Sequence, residues 1–229
     1  MHLFYVKSLK KEEFRLENEE FRHCIQVLRK KEGDLVHVSA GDGTIYEVRL
    51  NEPGKREVSF EVLSKEKKTR KSPSLHIAIA PTKQMERMEW FVEKACELGV
   101  TEITFIKSKN SERAKLKLDR LERKTISALK QSKSGFKTKL NPLTELKEFT
   151  SQTELPEQKL IAYVDPEAHD FKDTVEPVNT VMLIGPEGDF TKEEVNAAMR
   201  FGFSSAYFGE NVLRTETAGV FVASVFYYL

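Results

Sequence analysis

The 229 residues are predicted to form an α/β protein, with a helix-covered parallel sheet and a smaller β domain at the N-terminus. Three patterns lead to this prediction. From residue 75 onward, strand-like apolar runs alternate with segments of helical spacing, which is typical of parallel sheets. The run 181–184 is apolar throughout, as in a strand covered on both faces. Before residue 65, short alternating runs are separated by turn residues, as in a small barrel.

The short strands belong to the first 72 residues. Residues 2–6 are the first strand candidate, and residues 21–29 have helical spacing. The polar, basic stretch 65–73 reads as a linker, which divides the chain into domains 1–72 and 73–229. Three further alternating runs are predicted to be strands: 35–38, 44–50 and 57–63.

Beyond the linker, predicted strands and helices alternate along the chain. A helix is predicted over 84–98, with Gly99 as its C-terminal cap. A basic amphipathic helix is predicted over 116–132. By itself this alternation predicts a generic α/β sheet without any threading of the chain. The predicted strands of this sheet are 75–80, 102–106, 160–164, 181–184 and 206–208.

The last predicted helix, 217–229, is apolar on almost every side. Such a helix must be buried all round. One side can pack on its own sheet and the other on a second subunit. A fully internal helix in a monomer is the alternative.

Cysteine usage and the absence of targeting segments predict a cytoplasmic protein. Cys24 and Cys96 lie far apart and form no Cys-x-x-Cys pair, which argues against a zinc site or a disulfide scaffold. No apolar run approaches membrane-spanning length. The N-terminus also lacks the apolar segment of a signal peptide.

The net charge of +1 hides an uneven distribution. Residues 107–139 contain 12 basic and 3 acidic residues, whereas residues 151–229 contain 5 basic and 13 acidic ones. A basic stretch of this density suits binding to a polyphosphate chain. A solvated helix face is the alternative. Because few acidic residues lie nearby in sequence to form helix pairs, nucleic acid is favoured.

Two stretches near the C-terminus are candidates for a binding site. In VMLIGPEGDF (181–190) an apolar strand breaks into a Gly- and Pro-containing turn, and Thr191 with Glu194 forms a capping box after it. In YFGENVLRTETA (207–218) a short strand again leads through a Gly turn into a helix. Two such loops can lie side by side at the carboxyl edge of a sheet, where α/β proteins bind small molecules. Ordinary strand–turn–helix connections are the alternative.

These residues carry a resemblance. LIGPEGDF followed by FGENVLRTETA resembles the RsmE family of ribosomal RNA methyltransferases, in the knotted SPOUT superfamily. The first element has the family's G-P-E-G turn. The second has its L-G-x-x-I-L-R-x-E-T-A pattern, with Phe208 and Val212 in place of the usual Leu and Ile. The weakest match is 131–143, where the chain departs from the family's arginine and proline.

The resemblance implies a fold and a reaction. The expected fold is a SPOUT-type parallel sheet with a trefoil knot, joined to a PUA-like RNA-binding β-barrel and forming a homodimer through the C-terminal domain. The expected reaction moves a methyl group from S-adenosyl-L-methionine to N3 of a uridine in small-subunit (16S) ribosomal RNA, and no metal is implied. The imide proton must leave, which requires a base or a charge that stabilises the anion.

The resemblance also implies site residues. Arg214 is expected to stabilise the uridine anion, and Glu216 is a weaker candidate for the proton acceptor. The alternative role of Arg214 is a salt bridge with Glu187 or Glu216. The residues expected to bind the cofactor are Val164, Leu183, Gly185, Pro186, Glu187, Gly188, Phe208, Gly209, Val212, Leu213 and Thr217. The residues expected to contact RNA are Arg22, Arg29, Lys30, Arg113 and Arg120.

Two other function classes stay open. One is an RNA-binding protein without catalysis, for which the barrel and the basic stretch would suffice. The other is a SPOUT methyltransferase that acts on transfer RNA or on another base. A generic nucleotide-binding fold is disfavoured, because neither G-x-G-x-x-G nor G-x-x-x-x-G-K-[ST] occurs in the sequence.

Overall fold

The computed structural model describes residues 2–9, 14–112, 115–164 and 170–229. The chain divides into two compact units. The first consists of Met1–Arg70 and Ile126–Lys137, and the second of Lys71–Thr125 and Thr138–Leu229. The segment Ile126–Lys137, which the sequence pattern assigns to the C-terminal domain, is therefore grouped with the N-terminal residues.

The first unit is built around a five-stranded sheet that nearly closes into a barrel. Its spatial order is β1-β3-β4-β5-β2, with β1 parallel to β3 and the other neighbours antiparallel. Alternating apolar residues of these strands form its core, including the fully buried Phe4, Leu16 and Val38. The strands are β1 (Leu3–Tyr5), β2 (Arg15–Glu17), β3 (Leu35–Ser39), β4 (Thr44–Leu50) and β5 (Glu57–Lys67). Helix α1 (Asn18–Phe21) continues into a π-helical segment, Arg22–Val27.

Strand β5 is longer than its apolar pattern predicts. It pairs with β4 as far as the Thr44–Lys67 pair, so residues 65–67 are strand rather than linker. Ladder hydrogen bonds use only the backbone, and solvent-exposed residues such as Lys65 and Lys67 can therefore extend a strand without apolar side chains. For the same reason the three-residue strand β2 has no detectable sequence pattern.

The segment 133–137 packs on the barrel strands of the first unit. The Gly43 N–H donates to the Gly135 carbonyl (2.9 Å), and the Lys137 N–H donates to the Gly41 carbonyl (3.0 Å). A Cβ added to Gly43 would overlap the Phe136 ring, so this glycine is required for the close approach. The segment that matches the RsmE pattern least is thus partly a structural element of the first unit.

The second unit is a six-stranded, all-parallel sheet with the order β11-β9-β10-β6-β7-β8. Its strands are β6 (Leu75–Ile79), β7 (Glu102–Lys107), β8 (Lys139–Glu145), β9 (Gln158–Ala162), β10 (Thr180–Ile184) and β11 (Ser204–Ala206). Its helices are α2 (Met85–Glu97), α3 (Leu118–Ser132), α4 (Leu146–Thr150), α5 (Phe171–Thr174), α6 (Lys192–Arg200) and α7 (Thr215–Tyr228), with α3 ending among the residues of the first unit.

The predicted α/β class and the parallel sheet are confirmed, and each of the five predicted strands overlaps an observed one. Strands β9 and β11 begin and end two residues earlier than predicted, so the predicted range 206–208 shares only Ala206 with β11. Strand β8 and the short helices α4 and α5 were not predicted. β8 is an edge strand that contains Pro142 and polar side chains, so it has no apolar run. The trefoil knot stays a prediction from the resemblance.

Both faces of the central strands are covered. Every residue of β6 and β10 is buried. On one face the sheet packs against apolar residues of α4 and α6, such as Phe149 and Val195. Helices α2 and α7 approach each other so closely that a Cβ on Gly219 would overlap the ring of Phe91. Gly219 therefore sets the spacing between these two helices.

Replacing Gly219 with alanine should destabilise the second unit, although alanine is the better helix former. The added methyl would force Phe91 or α7 to move, and overpacking of this kind costs roughly 1–3 kcal/mol. Urea unfolding measures the loss. Thr217→Ala, at an exposed position of the same helix, is the control and should stay within about 0.5 kcal/mol of the parent. Equal stability of the two variants would contradict the packing argument.

Candidate active site

A cavity of about 420 Å³ lies at the carboxyl edge of the parallel sheet. Three neighbouring strands, β11, β9 and β10, end there. The cavity is lined by Arg87 from α2, Ala218 from α7 and residues at the strand ends, namely 162–164, 184–187, 189, 206–209 and 211–215. The two candidate loops of the sequence therefore do meet at one sheet edge. Strand β9 lies between their strands, which puts Val164 in the cavity wall as well.

The GPEG turn (residues 185–188) leaves the fully buried strand β10 at Ile184. The Asp189 N–H donates to the Pro186 carbonyl (2.9 Å) and closes the turn. A Cβ on Gly185 would lie 3.2 Å from the Phe190 ring, so a side chain at this position would crowd its neighbour. Thr191 and Glu194 then form the predicted capping box and begin α6.

Asn110, which follows β7, holds the far side of the GPEG turn. Its Nδ2 donates to the carbonyls of Gly188 and Asp189, both at 3.0 Å. A Cβ on Gly188 would come within 3.3 Å of the Asn110 Cβ. The next contact along this loop is the Lys109 N–H, which donates to Glu194 Oε1 (2.8 Å). Gly188 thus packs closely against Asn110, and it does not line the cavity.

Asp189 joins the GPEG turn to the end of β9. Its carboxylate accepts from the N–H of Phe190 (2.7 Å) and from the N–H of Val164. Burial raises the pKa of the Asp189 carboxyl above its ordinary value, and these two hydrogen bonds partly oppose the rise. The residue has a positive φ of 58°, which an aspartate tolerates better than most residues. Its position in the cavity wall was not predicted from the sequence.

The third wall is the loop 207–214 and the first turn of α7. Thr215 is buried, and its Oγ1 donates to the Gly185 carbonyl (2.9 Å), which ties α7 to the GPEG turn. The Phe208 ring packs on Phe171 and on Phe221. Val212 lines the cavity with 84% of its surface still exposed. A ligand in the cavity would therefore have apolar surface available to cover.

Arg87 forms the charged rim of the cavity. Its Nη1 lies 2.8 Å from Glu187 Oε1, and its Nε lies 3.7 Å from Glu216 Oε1. These are the two carboxylates considered as alternative partners for Arg214. Arg214 is exposed, lines the cavity and forms no ion pair with either of them. The salt bridges named as its alternative role belong to Arg87.

Nine of the thirteen residues named for cofactor binding or catalysis line the cavity: Val164, Gly185, Pro186, Glu187, Phe208, Gly209, Val212, Leu213 and Arg214. The other four do not. Leu183 is fully buried within β10, Gly188 faces Asn110, Glu216 lies against Arg87, and Thr217 is exposed on α7. Lining residues that the sequence pattern did not reveal include Arg87, Tyr163, Asp189, Tyr207, Asn211 and Thr215. Asp189, Asn211 and Thr215 lie within the two stretches that resemble the RsmE family, which is the signal that could have found them.

Two basic side chains of α3 are already paired with acidic residues, which its own sequence does not indicate. Arg120 forms ion pairs with Glu89 and, at 3.7 Å, with Glu86. Lys124 lies 3.6 Å from Glu89 and 3.9 Å from Glu93. The acids come from one face of α2, at spacings of three and four residues, and are distant in sequence. The RNA contact predicted for Arg120 would therefore compete with these ion pairs.

Three of the other residues named for RNA binding belong to the first unit. Arg22 and Arg29 are exposed, and Lys30 is half-buried and 3.9 Å from Asp34. Arg113 lies outside the described residues. Across the described ranges, no three or more His, Cys, Asp or Glu side chains cluster in a way that would hold a metal ion. No helix in those ranges combines the length and the apolar surface that crossing a membrane requires.

The fold and the cavity define an α/β protein with a cavity of small-molecule size at the carboxyl edge of its sheet, and comparison with known families makes the class more specific. A model of the RNA methyltransferase domain matches residues 70–227. A model of the RNA methyltransferase PUA domain matches residues 16–63. The chain belongs to the RsmE family of RNA methyltransferases.

Individual relatives agree over nearly the whole chain. The chain is 30% identical to the ribosomal RNA small subunit methyltransferase E of Mesomycoplasma hyopneumoniae, over 97% of each chain. It resembles the crystal structure of a probable rRNA-methyltransferase from Porphyromonas gingivalis, with 35% identity, a TM-score of 0.94 and coverage of 100% and 98%. The Neisseria gonorrhoeae ribosomal RNA small subunit methyltransferase E, solved with bound S-adenosyl methionine, is 26% identical with a TM-score of 0.86 and coverage of 98% and 96%.

Thr215→Val tests whether the link between α7 and the GPEG turn stabilises the site. Valine keeps the shape but cannot donate, so the Gly185 carbonyl would lose its partner in a buried position, at a cost of about 1–3 kcal/mol. Thr215→Ser keeps the donor and is the matched control. Denaturant unfolding should find the valine variant less stable than the serine variant. If the two were equally stable, the hydrogen bond would not be what holds the wall together.

Proposed function

We propose that this chain transfers a methyl group from S-adenosyl-L-methionine to N3 of a uridine in small-subunit ribosomal RNA. The observation that carries the proposal is the cavity at the carboxyl edge, lined by Arg214, in a chain of the RsmE family. Two of the named relatives are ribosomal RNA small subunit methyltransferases, and one of these was solved with S-adenosyl methionine bound. The specific uridine nitrogen is carried over from the resemblance.

The residues present fit the cofactor in size and in chemistry. A volume of about 420 Å³ is in the range of small-molecule sites. Gly185 and Gly209 leave backbone bare at the cavity wall, and Pro186, Phe208 and Leu213 supply apolar surface for a flat ring. Asp189 contributes an acidic group in a half-buried position, which suits a cationic ligand. We propose that these residues hold the cofactor.

When bound, S-adenosyl-L-methionine supplies a methyl group that its positive sulfur has already activated. The chain's own task is to orient the uridine and to favour loss of its N3 proton, because the imide is protonated at neutral pH. Arg214 is the N-cap residue of α7, and its side chain forms no ion pair with Glu187 or Glu216. A guanidinium keeps its charge at every working pH, so it can stabilise the N3 anion.

We propose that the first unit holds the RNA, with Arg22, Arg29 and Lys30 at the phosphates. The match to the RNA methyltransferase PUA domain and the exposure of both arginines support this role. Phosphate contacts release counterions, so the slope of RNA affinity against salt concentration measures them. A slope that stays unchanged when these three residues are replaced by alanine would rule them out.

Methyl transfer from labelled S-adenosyl-L-methionine tests the function. Isolated small ribosomal subunits, free ribosomal RNA and transfer RNA are offered in parallel, and the product nucleoside is identified by mass spectrometry. N3-methyluridine in small-subunit RNA is the expected result. Label in transfer RNA or on another base would favour the broader SPOUT activity. RNA binding without any transfer would favour a non-catalytic role.

Arg214→Ala should lower kcat about 100- to 1,000-fold, because it removes a charge that acts on the developing anion. The Kd of the cofactor, measured by calorimetry, should change little. Arg200→Ala is the matched control, since Arg200 is an exposed arginine on α6 that does not line the cavity. Lost cofactor binding with normal turnover at saturation would remove Arg214 from the catalytic role.

We also propose a homodimer formed through the C-terminal domain, as the resemblance implies. The end of α7 supports it, because Tyr228 is 88% exposed and follows the half-exposed Tyr227. Sedimentation velocity should find a dimer that Tyr228→Lys weakens. The control, Val27→Lys, alters an exposed apolar residue of the first unit. A monomer in the unmodified protein would refute the proposal.

A further inference from the structure

Three charged side chains from three different elements meet at the rim of the cavity. Arg87 comes from α2, Glu187 from the GPEG turn and Glu216 from the first turn of α7. Arg87 also lines the cavity, with 27% of its side chain exposed. One guanidinium therefore joins the turn, the helix and the cavity wall. The three residues are far apart in sequence, so only the folded structure shows that they are in contact.

Glu216 needs a cation more than Glu187 does. Its side chain is 8% exposed, whereas that of Glu187 is 46% exposed. Its Oε2 has no hydrogen-bond partner among the described residues. Burying a carboxylate without a counter-charge costs desolvation free energy, and removing the cation that pairs with it leaves that cost uncompensated. Of the described residues, Arg87 is the one that pairs with it.

An arginine suits this position better than a lysine would. The guanidinium is a planar fork, and here its Nη1 serves Glu187 while its Nε faces Glu216. A lysine ammonium is a point charge on a flexible chain and cannot present two separated donors in a fixed geometry. One guanidinium thus forms ion pairs with both carboxylates.

The arrangement has a consequence for Arg214. This residue lies two positions before Glu216 and lines the same cavity as Glu187. Without Arg87, Glu187 would lack a counter-charge in the cavity lining that it shares with Arg214. An ion pair with Glu187 would take the Arg214 guanidinium away from a bound substrate and lower its ability to stabilise an anion.

We infer that Arg87 is a positioning residue, which holds Glu187 and Glu216 and thereby keeps Arg214 free to act on the substrate. This inference rests on the proposed methyltransferase function. It gives Glu216 a role other than proton acceptor, because that carboxylate is buried against Arg87 and does not line the cavity. Its role is to anchor α7 through the ion pair.

A double-mutant cycle between positions 87 and 187 separates positioning from direct contact. Arg87→Gln should lower kcat about tenfold in the parent, as expected for residues coupled in one network. In a Glu187→Gln background the same change should lower kcat much less, because no carboxylate of the turn remains to capture Arg214. An effect of equal size in both backgrounds would mean that Arg87 touches the substrate itself, and would overturn the inference.

Arg87→Lys keeps the charge and gives a second variant if the glutamine variant folds poorly. Its kcat should lie between those of the parent and Arg87→Gln, because a single ammonium can pair with only one of the two carboxylates at a time. Arg200→Gln is the matched control and should leave kcat unchanged. A lysine variant that works as well as the parent would show that charge alone suffices and that the fork has no role.

Hydrogen exchange on the protein without cofactor tests the same contacts independently of activity. Arg87→Gln should speed amide exchange at 185–189 and at 215–218, relative to Arg200→Gln. If the parent transfers no methyl group but these amides lose protection, the proposed function fails while the anchoring role of Arg87 stands. If the parent is active and the amides keep their protection, the positioning role of Arg87 is wrong.

Discussion

The site depends on the complete burial of strand β10 between β9 and β6. All five of its residues are covered on both faces, and its backbone is paired on both sides. A strand in that position can end only where the backbone regains space and polar partners, and the GPEG turn provides both. The neighbouring strands β9 and β11 run parallel to β10, so their carboxyl ends open at the same edge. The cavity follows from this geometry, with each wall contributed by one strand end.

Charge placement is organised by a single helix. Glu86, Glu89 and Glu93 lie on one face of α2 and pair with the cations of α3. Arg87 points to the other side and pairs with the carboxylates at the cavity rim. The pair of Glu86 with Arg120 is solvent-exposed and contributes little stability. The pairs of Glu89 and Glu216 differ, because both carboxylates are buried and a carboxylate removed from water depends on its partner. Helix α2 therefore contacts both the basic side chains of α3 and the charged residues beside the cavity.

Particular elements illustrate what the sequence pattern could and could not reveal. The capping box at Thr191 and the apolar run of β10 are local signals, and both lie where they were predicted. Strands β2 and β8 were missed, because a short or edge strand needs backbone partners and no apolar pattern. Nine cavity-lining residues were named from the resemblance, whereas Asn110 and Asp189 were not, since their roles consist of contacts to backbone groups across the fold.

By itself the sequence determined the class of the sheet, the approximate positions of its buried strands and the two loops that line the cavity. Each of these features produces a local signal, either a hydrophobic period or a cluster of turn residues. The tertiary structure alone decided which charges are free. Arg120 in the basic stretch is paired with acids some thirty residues earlier in the chain, and the carboxylates near Arg214 are held by Arg87. Ion pairing depends on distances in space, and residues about a hundred positions apart, such as Arg87 and Glu187, become neighbours only when the sheet has formed.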